Sequence, residues 1–157
     1  MEIRIEIPVD SEGYLRRQCP RCEEIFKWHR GPVGEIPPDA PDPVIYFCPY
    51  CGESSGLDQW NTDEQVEHLR TLAANEARKM VEKQLSPSVD RLNRSGGMVK
   101  MTLSVPHGNP PPPLVEPDDM VAVAPPCHPY EPVKIADGWV DPIHCLICGS
   151  AFVIDID

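Results

Sequence analysis

At 157 residues, with 20 prolines and only 6% aromatic side chains, the chain is one ordinary domain or two small ones and lacks the material for one large apolar core. Its formal charge of −11 opposes the cationic contacts on which general DNA or RNA binding depends. No hydrophobic run reaches the length of a signal peptide or a membrane span, so the expectation is a cytoplasmic protein with reduced thiols and no membrane partner.

Residues 2–9 alternate, with Ile3, Ile5, Ile7 and Val9 on one face, and predict a half-buried strand. After the turn at Asp10 to Gly13 the chain enters Cys19-Pro20-Arg21-Cys22, and a matching Cys48-Pro49-Tyr50-Cys51-Gly52 follows. Each Cys-x-x-Cys aims two sulfurs at one point, and two such turns supply the four thiolates of a tetrahedral site. Proline after the first cysteine and glycine after the second suit the turn, although the first copy has Glu23 where glycine is expected. Residues 24–29 leave the first turn as the second arm of a hairpin. The five prolines between Gly31 and Pro43 mark an extended insertion, and residues 44–47 form a short strand that delivers Cys48. That strand is expected to join the hairpin as a third strand.

These paired turns resemble the zinc-ribbon class, and in particular small bacterial zinc-ribbon proteins. The resemblance implies zinc on Cys19, Cys22, Cys48 and Cys51, a metal-held β-hairpin fold, and no particular substrate. Rubredoxin-like electron carriers hold one iron with two similar turns, so iron remains an alternative at these four cysteines.

Thr62 and Gln65 have capping-box spacing, and Val66, Leu69, Leu72, Ala73, Ala77, Met80, Val81 and Leu85 recur at helical intervals. They predict an amphipathic helix over residues 63–85, about 35 Å long, with Pro87 breaking or kinking it and Gly96-Gly97 closing the helical region. Residues 98–105 alternate again and predict a strand paired with residues 2–9. Ten of the twenty prolines fall between Pro106 and Pro132, including the run Pro110 to Pro113, which favours a stiff polyproline II spacer. Residues 120–124 are compatible with one more short strand.

The C-terminal segment contains Cys127 and Cys145-Leu146-Ile147-Cys148-Gly149. Three thiols need an eighth ligand to complete a second tetrahedral site. His128, flanked by Pro126 and Pro129, is favoured. His144 precedes a ligating cysteine on a strand, where neighbouring side chains point to opposite faces.

The expected fold is α+β. Two small β zinc ribbons (1–61 and 127–157) are joined by a helical segment (62–95), a strand (96–105) belonging to a short strand pair, and a proline-rich linker (106–126). Two structural Zn²⁺ ions are expected, on Cys19, Cys22, Cys48 and Cys51 and on Cys127, His128, Cys145 and Cys148. Both sites are filled by protein donors, the pattern of structural and not catalytic zinc, and no hydrolase, deaminase or nucleotide-binding motif is present, so no enzymatic activity is expected. The expected function is an adaptor or regulatory protein that binds another protein. A nucleic-acid-binding ribbon is the alternative, resting on Arg16, Arg17, Arg21, Lys27, His29 and Arg30 interleaved with Tyr14, Phe26 and Trp28. The helix over 63–85 is a possible surface for self-association.

Overall fold

The structure is a computed structural model and describes residues 5–155. The described residues form one helix and three small antiparallel sheets, an α+β fold. They fall into two compact units, one built on Glu64–Pro113 with the N-terminal residues up to Glu6, the other on Ile7–Asp63 and Leu114–Asp157. Both cysteine clusters belong to the second, ribbon unit.

In the ribbon unit, β1 (Tyr14–Gln18) and β2 (Ile25–His29) form the predicted hairpin, with Leu15 opposite Trp28 and Gln18 opposite Ile25. The strand expected to flank it does not. β3 (Ile45–Phe47) pairs instead with β4 (Ser54–Gly56) across the second cysteine turn. The open edge of β2 is taken by β6 (Val133–Ala136), which also pairs with β5 (Met120–Val123), so the main sheet runs β1-β2-β6-β5. β7 (Ile143–His144) and β8 (Ala151–Phe152) form a third, two-stranded sheet around the last cysteine turn.

Strand alternation explains why β6 docks there. Leu15, Phe26, Trp28, Val133 and Ile135 lie on one face and join Trp60, Ile143, Leu146, Cys19 and Cys48 in a single core. Arg17 shares that face and lies over the Trp28 ring at 4.6 Å. The other face carries a row of three cations in register, Arg16 opposite Lys27 and Lys27 opposite Lys134. Like charges directly opposite destabilise a sheet, and a lid of carboxylates removes the conflict. Lys27 Nζ lies 2.9 Å from Glu116, 3.1 Å from Asp119 and 3.2 Å from Asp10. Lys134 reaches Asp10 at 2.8 Å and also contacts Glu12, and Arg16 holds Asp119 at 2.6 Å. The side chains of Lys27 and Asp10 are completely buried. Burial alone would raise the Asp10 pKa, but Lys134, Lys27 and the N–H groups of Tyr14 and Glu12 hold it well below the usual carboxylate range. Lys27, which the sequence offered to a nucleic-acid-binding face, and Lys134 are therefore interior residues.

In the other unit, α1 (Asp63–Arg94) begins directly after Thr62, as the capping box predicts, and continues without a break past Pro87 to Arg94. The missing proline N–H leaves the Lys83 carbonyl without its helical partner, and both residues are exposed, so water can serve it. Met80, Val81 and Leu85 on its predicted apolar face are exposed. The strand expected over 98–105 is absent, as is any strand over 5–9; residues 2–4 lie outside the described residues. The 98–113 segment runs back along the helix: the Asn93 side chain exchanges two hydrogen bonds with the Met101 backbone, His107 Nε2 meets Glu82 at 3.0 Å, and Asn75 donates to the Asn109 carbonyl. Eight extended residues from 101 to 109 cover about 26 Å, the rise of the eighteen helical residues from 93 to 75. An asparagine side chain thus takes the place expected of a partner strand, because Asn93 satisfies both backbone groups of Met101. No helix among the described residues is long and apolar enough to cross a membrane.

Candidate metal centres

Three turns built alike carry six of the seven cysteines. In each, the N–H of the fifth residue donates to the carbonyl of the first cysteine: Glu23 to Cys19, Gly52 to Cys48 and Gly149 to Cys145, at 2.9–3.0 Å. The N–H of each first cysteine donates in turn to the carbonyl five residues on, in Glu24, Glu53 and Ser150. Further N–H groups point at sulfur, from Arg21 and Cys22 to Cys19 and from Tyr50 to Cys48. The geometry requires a left-handed fifth residue, and φ is +73° at Gly52 and +71° at Gly149. Glu23 adopts φ +63°, the sole non-glycine residue with positive φ among those described. The first turn therefore keeps the shape of the others without the residue that favours it, at a cost of about 1–2 kcal/mol.

The turns bring Cys19, Cys22, Cys48 and Cys51 together in one cluster and Cys127, His128, Cys145 and Cys148 in another, with the donor atoms of each cluster within 4.8 Å of one another. Cys19 and Cys51 sulfurs lie 3.7 Å apart, as do those of Cys22 and Cys48. In the second cluster, Cys127 and Cys148 are 3.5 Å apart and His128 Nδ1 stands 3.4 Å from Cys145 Sγ. A tetrahedral metal with bonds of about 2.3 Å to sulfur places its ligands about 3.8 Å apart, and a nitrogen ligand at about 2.0 Å slightly closer to sulfur. The spacing fits a metal ion in both clusters. His144 is turned elsewhere, with Nδ1 3.2 Å from the Pro49 carbonyl. His29 faces the Gly31 carbonyl, and His107 belongs to the helical unit, pairs with Glu82 and is a member of neither cluster.

The thiols of each cluster are differentiated by their surroundings. Burial pushes Cys48 far up, Cys22 up to about 11 and Cys145 up to about 12. For Cys148, burial is outweighed by hydrogen bonding to Ser150 and neighbouring sulfurs, which lowers it to about 6. A bound dication supplies the charge that lets all the thiols of such a set ionise together.

The two clusters are joined by reciprocal packing that the sequence reading missed. Phe47, just before Cys48, donates its N–H to the carbonyl of Leu146, and His144, just before Cys145, donates to Pro49. The side chains follow the same exchange. The Phe47 ring covers Gly149, where a Cβ would come within 2.7 Å of it, and the His144 ring covers Gly52, where a Cβ would come within 2.9 Å. Each turn is thus capped by the residue preceding the other turn, in a local twofold arrangement. The available signal was positional: Phe47 and His144 occupy the same place before the two Cys-x-x-Cys-Gly sequences. Tyr50 adds a further tie, donating to the Ile25 carbonyl and accepting from Ala136 N–H.

No family model, no curated protein and no solved structure matches this chain.

Proposed function

We propose that the protein is a non-catalytic zinc-binding adaptor or regulatory protein that presents the surface of its metal-held unit to another protein. The observation that carries this reading is the completeness of the two clusters. Each offers four protein donors, the arrangement of structural zinc, whereas catalytic zinc keeps a position for water. Zinc is favoured over iron because imidazole joins three thiolates in the second cluster, and zinc takes either donor in a tetrahedron without geometric preference.

Electrostatics support a protein partner over nucleic acid. The ribbon unit carries six basic against eighteen acidic side chains, a balance of −12. Its basic and aromatic stretch is engaged internally: Arg16 and Lys27 with carboxylates, Arg17 with Trp28 and Asn61, and Phe26 and Trp28 in the core. Few of these groups remain for phosphate contacts or base stacking.

Elemental analysis of protein purified without added metal is the first test, with two zinc ions per chain expected. A coloured, iron-containing protein would overturn the zinc reading and bring electron transfer forward. Co-purification from the native cell at low salt should then retain a defined protein. Retention of single-stranded or duplex nucleic acid, lost on charge reversal of the exposed Arg21 and Arg30, would overturn the protein-binding reading.

A further inference from the structure

Beside the second cluster lies a cavity of about 210 Å³ in the ribbon unit, walled by the proline-rich loop and lined by His29, Asp42, Tyr46, Tyr130 and Glu131 among others. It is smaller than the 300 Å³ or so at which small-molecule and cofactor sites begin, and so has the scale of a single side chain. Its wall is preformed. The loop contains five prolines between Gly31 and Pro43, and Val33 N–H donates to the Tyr130 carbonyl at 2.8 Å, which ties the loop down.

The chemistry inside the cavity is one-sided. Glu131 is half-buried, and among the described residues no N–H or O–H donates to its carboxylate. Asp42 adds a second carboxylate, no lysine or arginine lines the cavity, and two tyrosine rings stand beside it. A partly desolvated carboxylate without a donor is costly, and aromatic faces attract cations. Ile36, an exposed apolar residue, is among the lining residues, and the exposed Val33 and Val44 adjoin the lining residues Pro32 and Pro43 in sequence.

We propose that this cavity receives a lysine or arginine side chain of a partner protein, with Glu131 as its counter-ion and Tyr46 and Tyr130 beside its stem. The proposal deepens the protein-binding reading above and rests on it. The ribbon unit's balance of −12 draws a basic partner toward this side chain's site.

The test is an NMR titration of the metal-loaded full chain with n-butylguanidinium and with n-butylurea, its neutral isostere. The expected result is saturable shifts confined to the backbone of residues 31–43 and 128–131, at least about tenfold tighter for the cation. Glu131→Gln, folded and with unchanged metal content, should weaken the cation about tenfold and leave the urea unaffected. Should that variant misfold, the two wild-type titrations still decide the matter. Equal binding of the two probes, or cation shifts scattered over all acidic residues, overturns the proposal. Spermidine binding more tightly than acetyl-Pro-Arg-Pro-amide would assign the cavity to a free polyamine and overturn the partner. A co-purified protein held equally by wild type and Glu131→Gln overturns the pocket and leaves the adaptor reading standing. A wild-type chain that retains no protein overturns both.

Discussion

Substituting Gly149 tests whether the two metal clusters share their stability. Gly149→Ala changes no ligand and lies in the turn of the second cluster, but its new Cβ would stand 2.7 Å from Phe47 Cδ1 and 3.0 Å from two further ring atoms. Carbon atoms need about 3.5–4.0 Å, so the ring must retreat by about 1 Å, and overpacking of this kind costs about 1–3 kcal/mol. The left-handed φ of +71° adds about 1–2 kcal/mol for an L-residue. The stiffer unfolded chain returns about 0.4–1 kcal/mol, leaving about 1–5 kcal/mol of destabilisation, centred near 3 kcal/mol. Phe47 adjoins Cys48, so part of that cost should appear at the first cluster. With cadmium-113 in place of zinc, the all-sulfur and the three-sulfur, one-nitrogen sites give separate NMR lines. Chelator should remove the metal of the all-sulfur site about tenfold faster in Gly149→Ala than in wild type, an effect of about 1.4 kcal/mol. An unchanged rate at that site, with loss confined to the other, would refute the reciprocal capping. So would an undiminished cost of Gly149→Ala in a Phe47→Ala background, since the clash is then gone.

Three further outcomes are expected. Cys48→Ser should unfold the ribbon unit, because structural zinc contributes on the order of 10 kcal/mol to a small domain; a soluble variant with wild-type thermal stability would refute a structural site. Asp10→Asn should cost about 3–5 kcal/mol in denaturant at neutral pH, because it leaves Lys27 and Lys134 buried with one carboxylate fewer; a change within 0.5 kcal/mol, the range of ordinary surface substitutions, would return these lysines to the surface. Glu23→Gly should stabilise the protein by up to about 1 kcal/mol, the relief of the left-handed backbone less the entropy gained by the unfolded chain, and a clear loss of stability would show that the glutamate side chain holds the turn.

The cysteine turns were legible because their chemistry is local: two sulfurs three residues apart, a proline, and a residue that tolerates positive φ determine the turn without help from the rest of the chain. The hairpin of β1 and β2 and the start of α1 were legible for the same reason. Strand partnership was not. Residues 98–105 alternate as well as any strand here, yet alternation states only that two faces differ, and the Asn93 amide meets the backbone at Met101 where a strand was expected. The partner of β2 lies about a hundred residues downstream, and nothing near Lys27 announces that Lys134 will stand opposite it. The burial of the charge row was hidden for a related reason. Composition assigns lysine and arginine to solvent, and only the tertiary fold shows that Glu116 and Asp119 close over them.

That closure bears on how the chain is made. The hairpin bearing Cys19 and Cys22 leaves the ribosome long before Glu116, Asp119 and β6. At about 5–20 residues per second the interval is on the order of 5–20 s. During it Phe26 and Trp28 lack Val133 and Ile135, and Lys27 lacks two of its three carboxylate partners. The nascent hairpin can gather its first four thiols as soon as Cys51 is out, well before its sheet has a second edge. Metal capture would then precede the core and hold the early half of the ribbon unit in register until the late half arrives.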